Sequence, residues 1–272
     1  MKIYGYILAA SLACTLFSCG EDGVLPEPEP PVVGPGDKDE SDEKPDKIQL
    51  GITASLQSMS QTRGIIEAFM PGHDMGVFVA TSGTGQTTKN ASYLFDGKTW
   101  NADRDVPVEG DADVVAYLPY DKAVTDYAKV AFDLTDQDDI LYGTAKVTKD
   151  IPTASLEMKH AMTLVRVRLM KDEYMGTGLV SDMTFKNVYT AGTLDATAGT
   201  ITKDYGTGRG IIKAGGNYML NDANPVIVDA ILMPKPAHDE PVYVSFTIDG
   251  QEHTYTSVSY THLRAHETLR YL

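Results

Sequence analysis

The residues able to do chemistry are few and poorly spaced for it. The densest carboxylate run is Asp136-Gln137-Asp138-Asp139. A calcium loop built on such a run needs a glycine at its sharp turn and a distal glutamate, and both are missing. A solvated loop is therefore the expectation for these carboxylates. His73-Asp74, and Glu157 with His160, each supply half of a general-base or metal-ligand set without the HExxH or comparable spacing that completes one. The glycine-bearing stretches 83–88 and 206–210 lack the Gly-Lys-Ser/Thr that cradles phosphate, so both read as hairpin tips. No serine occupies a Gly-x-Ser-x-Gly elbow. No catalytic residue, metal site or cofactor is expected, and the chain reads as a non-enzyme.

Composition narrows the class further. A formal net charge of −15 over 272 residues excludes nucleic acid as a partner, because phosphate would repel such a chain. It equally excludes an electrostatic grip on anionic lipid. The only two cysteines, Cys14 and Cys19, fall in the first twenty residues, so the folded body has neither disulfide nor thiolate ligand.

Those cysteines sit in an address label. Residues 1–18 form a signal peptide: Lys2 is a minimal positive start, and Ile3 to Phe17 is an apolar run too short to span a bilayer. Leu16-Phe17-Ser18-Cys19 resembles a bacterial lipobox, which places signal cleavage between Ser18 and Cys19. Cys19 then becomes the lipid-attachment residue and the covalent lipid there the only added group. Each buried methylene contributes roughly 0.8 kcal/mol, so several acyl chains make a stable outer-membrane anchor. Glu21-Asp22 resembles a surface-export signal of Gram-negative lipoproteins. Residues 19–47 continue as a disordered linker. Gly20–Lys47 holds six prolines and ten acidic residues against three lysines, too little apolar surface to offset the entropy of ordering. At about 3.1 Å per residue it reaches on the order of 80 Å when extended.

From residue 48 onward, strand and turn signals replace one another with no sustained helical period. Ile48, Leu50, Ile52, Ala54 and Leu56 alternate with polar or small residues, the period-2 pattern of a half-buried strand. Met75–Ala80 and Val114–Tyr117 are continuous apolar runs, the latter closed by Pro119. Asp96-Gly97 and Asp249-Gly250 signal two-residue hairpins. Leu156–Leu169 is long and β-rich, but its alternation slips between Leu164 and Val165, as at a bulge or a change of sheet. Val226–Leu232 and Val242–Ile248 continue the pattern. Trp100, after a hairpin, is expected in the core. The spacing predicts an all-β protein of antiparallel sandwiches, with a boundary near Lys171–Gly178.

Several phrases, in order, resemble the fimbrillin (Mfa-like, FimA-like) superfamily of type V pilus proteins. They are Thr62-Arg63, FMPGHDMGVF (69–78), DVVAYLPY (113–120), DILYGTA (139–145), His160 within LEMKHAMTLVRVRL, NVYTAGTLDATAGTI (187–201) and Ile231–Pro234. The resemblance covers residues 48 to about 258. It implies two tandem transthyretin-like β-sandwich domains, 48–172 and 173–258, and a structural or adhesive fimbrial subunit joined to other subunits by donor-strand exchange. It also implies residence at the outer membrane or cell surface, then in the fimbrium, with a host or bacterial surface ligand. Family members continue with at least one more strand, whereas Ser259–Leu272 (SYTHLRAHETLRYL) resembles a non-native read-through peptide. The second domain is accordingly expected to be truncated.

The exchangeable piece is expected to be the strand bearing Ile48, Leu50, Ile52 and Leu56. Its four large side chains and one alanine represent roughly 6–12 kcal/mol of burial as an upper estimate, against about 5–15 kcal/mol for a whole domain. A domain deprived of it would accept a replacement strand. Arg63 is the candidate processing site for a trypsin-like protease; the competing reading is a solvated loop arginine. The alternative function is a surface glycan-binding lipoprotein, which the fifteen tyrosines leave open.

Overall fold

The computed structural model describes residues 48–57, 66–84, 87–206, 208–234 and 240–256. Every regular element among them is a β-strand, in keeping with the all-β expectation. The central layer grows from the apolar runs. β2 (Asp74–Thr81) and β5 (Ala112–Leu118) pair antiparallel, Val77 opposite Ala116 and Val79 opposite Val114. Both are covered on two faces, which is why they read as runs rather than as alternation. Gly76 is required where it stands: a Cβ there would lie 2.2 Å from Cε1 of Tyr117. β3 (Ala91–Phe95) and β4 (Trp100–Ala102) extend this layer on one side and β7 (Leu141–Val147) on the other. Trp100 is buried, as expected.

On its other side β7 neighbours β8 (Thr153–His160), in register at Leu141–His160 and Tyr142–Lys159. β8 pairs on its far side with β1 (Gly51–Leu56), from Gly51–Thr153 to Leu56–Met158. The order is β1-β8-β7-β5-β2-β3-β4. Leu50, Ile52, Leu156 and Met158 share one core with Met75 and Val114, so the β1–β8 ribbon forms the cover of one face of the central layer. The β1–β8 pairing is parallel, which corrects the expectation of antiparallel pairing throughout. Hairpins impose antiparallel direction, but parallel neighbours need a long crossover. Here the whole central layer lies between β1 and β8 in sequence.

The opposite face of the central layer presents Phe78, Val115 and Tyr117 to a second core. Its other walls are β9 (Thr163–Leu169) with β15 (Val226–Leu232), and the sheet of β10 (Leu179–Val188), β13 (Gly210–Lys213), β14 (Tyr218–Met219), β16 (Tyr243–Ile248) and β17 (Gln251–Thr256). β6 (Val130–Asp133), β11 (Ala191–Asp195) and β12 (Thr200–Lys203) make a small third sheet. Residue 172 falls in the link between β9 and β10. Across it, β6 pairs with β11 and β9 with β15, and the second core draws side chains from both sides.

Three local expectations are refined. The long run Leu156–Leu169 does change sheet, but at Ala161-Met162, between β8 and β9, not at Leu164-Val165. The turn at Asp96-Gly97 holds four residues, 96–99, because the Asp96 carboxylate accepts from the amides of Lys98 and Thr99. Those amides hold its pKa well below the usual carboxylate range. The loop 206–210 is not a hairpin tip: it joins β12 of one sheet to β13 of another.

Candidate functional site

The strand expected to be exchangeable lies at a sheet edge and half inside a core. From Gly51 to Leu56 its only partner strand among the described residues is β8. Alternation does what period 2 requires: Leu50 and Ile52 are only 6% and 8% exposed, Ala54 and Leu56 pack half-buried against the same core, and Thr53 and Ser55 face solvent. Ile48 precedes the strand rather than joining it; its carbonyl accepts from the Val108 amide at 2.8 Å.

Further contacts stitch the start of β1 to the segment before β5. The Leu50 amide donates to the Val106 carbonyl at 2.9 Å, and the Val106 amide donates to Gln49 Oε1 at 2.9 Å. From beneath, the buried Tyr93 hydroxyl donates to the Leu50 carbonyl at 3.1 Å. Burial, and secondarily the charge of Asp103, push the Tyr93 phenol far above its ordinary pKa, so it remains a donor. Tyr93 escaped the sequence reading because its partner is a main-chain atom 43 residues away.

A second group secures the chain on the far side of β1. His160 Nδ1, at the end of β8, lies 2.7 Å from Asp139 Oδ2, and both side chains are almost fully buried. The same Asp139 oxygen accepts from the Ile66 amide at 3.1 Å. Ile66 is the first described residue after the stretch 58–65, so this pair fixes the chain at Ile66. The solvated-loop expectation thus holds for Asp136 and Asp138 but is corrected for Asp139. Asp139 is followed by Ile140 and Leu141, whose burial draws it inside. The pairing of His160 with Glu157 is not realised, because odd and even positions of β8 face opposite ways and Glu157 is exposed. His73 and Asp74 serve locally: His73 Nδ1 accepts from the Met70 amide and Asp74 from the Ser92 hydroxyl. Ser18, Cys19, Arg63 and Ser259–Leu272 lie outside the described residues.

The described residues form a layered all-β body closed at one edge by β1. Solved structures agree on the fold. A cell adhesion protein of Bacteroides ovatus is similar with a TM-score of 0.57 at 15% identity, over 77% of this chain and 86% of that one. One from Bacteroides uniformis gives 0.56 at 17%, over 77% and 84%. One from Bacteroides thetaiotaomicron gives 0.52 at 19%, over 82% and 91%. No curated protein matches significantly. The fimbrillin-like family model matches residues 62–271, and the chain belongs to that family. It is therefore an adhesive fimbrial subunit of the cell surface or pilus, associating with other pilus subunits, and not an enzyme.

Proposed function

We propose that the chain is exported as a lipoprotein, anchored in the outer membrane through Cys19, and joined to other subunits by donor-strand exchange in which β1 is the strand replaced. The observation that carries this is the cover of the first core. It includes β1, β8 and the segment bearing Val106 and Val108, so loss of β1 opens it. Leu50 and Ile52 leave an apolar groove, and β8 is left with an open ladder from Thr153 to Met158. A strand from a neighbouring subunit satisfies both needs at once.

Arg63 follows β1 in sequence and precedes the amide held by Asp139. A cut after Arg63 would separate β1 and the lipid from the rest, while the Asp139–His160 pair retains the new end. Incubating the folded protein with a trypsin-like protease, then N-terminal sequencing and size-exclusion chromatography, tests this. Cleavage after Arg63 followed by assembly is expected. Cleavage elsewhere, or a cleaved protein that stays monomeric, refutes the exchange. For the anchor, Cys19→Ser should move the full-length chain from the detergent phase to the aqueous phase.

A further inference from the structure

Short strands, charged side chains and capping groups keep a sheet from pairing with its neighbours, and most edges of this body have one of them. Among the described residues β4, β6, β12 and β13 are only three or four residues long. β9 carries Arg166 and Arg168. β15 is capped by Gln137, whose side-chain amide accepts from the Ile231 N–H at 2.7 Å and donates to the Ile231 carbonyl at 3.1 Å. β1 is the strand already given to exchange. β17 is different. It runs for six residues, Gln251–Thr256, contains no proline, lysine or arginine, and pairs with β16 without a shift in register. We infer that β17 pairs antiparallel with β17 of a second copy of this chain about a twofold axis, joining two sheets into one.

The turn fixes which main-chain groups are free. Asp249 and Gly250 both have positive φ, 48° and 83°, so the loop is of the two-residue kind in which the flanking Ile248 and Gln251 bond each other. Gln251, His253 and Tyr255 then direct their N–H and C=O groups towards β16, while Glu252, Thr254 and Thr256 direct theirs outwards. A twofold axis through Thr254 engages all three outward residues: Thr254 faces its own counterpart, and Glu252 faces Thr256 of the second copy. Moving the axis by one residue in either direction leaves one of the three unpaired.

The side chains suit the same register. Glu252 is the one acid on the strand, and Lys186 already balances it at 3.0 Å, so no unbalanced like charges meet. On the other face His253 falls opposite Tyr255 of the second copy. Both rings stack on Phe246, at 6.0 and 5.3 Å between centroids. Phe246 is buried, whereas His253 and Tyr255 beside it stay exposed. Pairing sets an aromatic cross-strand pair next to each Phe246 and covers rings that one copy leaves in water. At about 3.4 Å per residue the seam is about 20 Å long and one strand wide. That falls short of the roughly 800 Å² per partner of a standard stable interface, so the contact is reversible in solution and gains strength where many copies share one surface.

The test uses the intact chain carrying Cys19→Ser, kept reduced so that Cys14 forms no bridge, in sedimentation velocity over a concentration series reaching millimolar. A reversible monomer–dimer equilibrium is expected. Thr254→Pro removes an outward N–H and, besides the hydroxyl contact with Ser245 at 2.8 Å, nothing that β17 shares with β16. It should weaken dimerisation by about tenfold or more. Thr254→Lys and Thr254→Glu should each be monomeric, because identical charges then meet across the axis, and an equimolar mixture of the two should dimerise again. Thr254 is exposed, so unchanged thermal unfolding is the check on folding, and the charged pair decides if the proline variant unfolds. A parent chain that stays monomeric throughout the series overturns the inference. So does dimerisation indifferent to Thr254→Pro, or a Lys/Glu mixture that fails to recover. None of these residues belongs to β1 and the chain is uncleaved, so the outcome is separable from that of strand exchange.

Discussion

The first and last strands of the described body are both edge strands, and they could hardly be more different. β1 buries alternate side chains in a core, and its partner β8 lies about a hundred residues away, as with Thr53 and Ala154, 101 apart. β17 is joined to β16 by the two-residue turn Asp249-Gly250, and all six of its residues are exposed. β17 is thus local and adds little core, whereas β1 is remote and adds much. A strand that is both topologically easy to withdraw and energetically costly to lose is one that a neighbour's strand can profitably replace. A hairpin strand such as β17 is neither.

The sharpest way to break this comparison is Ile52→Asp. It removes about 1.5–3 kcal/mol of apolar burial and places a carboxylate in the core. We expect unfolding or insolubility at ambient temperature. A chain lacking residues 48–57 should behave likewise and regain a cooperative thermal transition when the 48–57 peptide is added. Recovery without peptide would end the distinction. Next, Asp139→Asn weakens the hydrogen bonds that hold His160 and Ile66. It should cost about 1.5–3 kcal/mol in denaturant unfolding, with faster protease cleavage around residue 66. Tyr93→Phe deletes one donor to β1 and should cost about 0.5–1.5 kcal/mol. By contrast, Tyr255→Ala on β17 removes an exposed ring stacked on Phe246 and should change stability by about 0.5 kcal/mol or less. A larger effect would mean that β17 also closes a core.

The smallest expected effect concerns pH. Asp249 accepts from the amides of Gly178 and Leu179, at 2.9 Å each, and these hold its pKa below the ordinary aspartate value. Because the folded value is the lower one, the stabilisation is complete above the unfolded aspartate range, about pH 4. It is lost as pH falls through the depressed folded value. Asp249→Asn should flatten a small part of the acid limb of a stability–pH curve measured by thermal unfolding, leaving the neutral plateau slightly lowered.

How much of this was readable beforehand varied with the range of the interaction. Val226–Leu232 is a strand over the span that its β-branched run suggested, and Asp249-Gly250 makes the turn its chemistry favours, with φ of 48° and 83°. The inward positions of β1 followed from alternation alone. The Asp139–His160 pair was not readable. The two residues belonged to separate motifs 21 positions apart, and a carboxylate in a run of three looks solvated until its neighbours are seen to be buried.

Alternation and turn residues are properties of consecutive residues, and they establish an all-β chain before any fold is known. Which strands become neighbours is a property of chain return. The parallel seat of β1 on β8 and the two-sided burial of β2 and β5 join residues far apart in order. No local pattern encodes such pairings, because many registers bury the same apolar faces. Shared packing across the central layer selects the one observed.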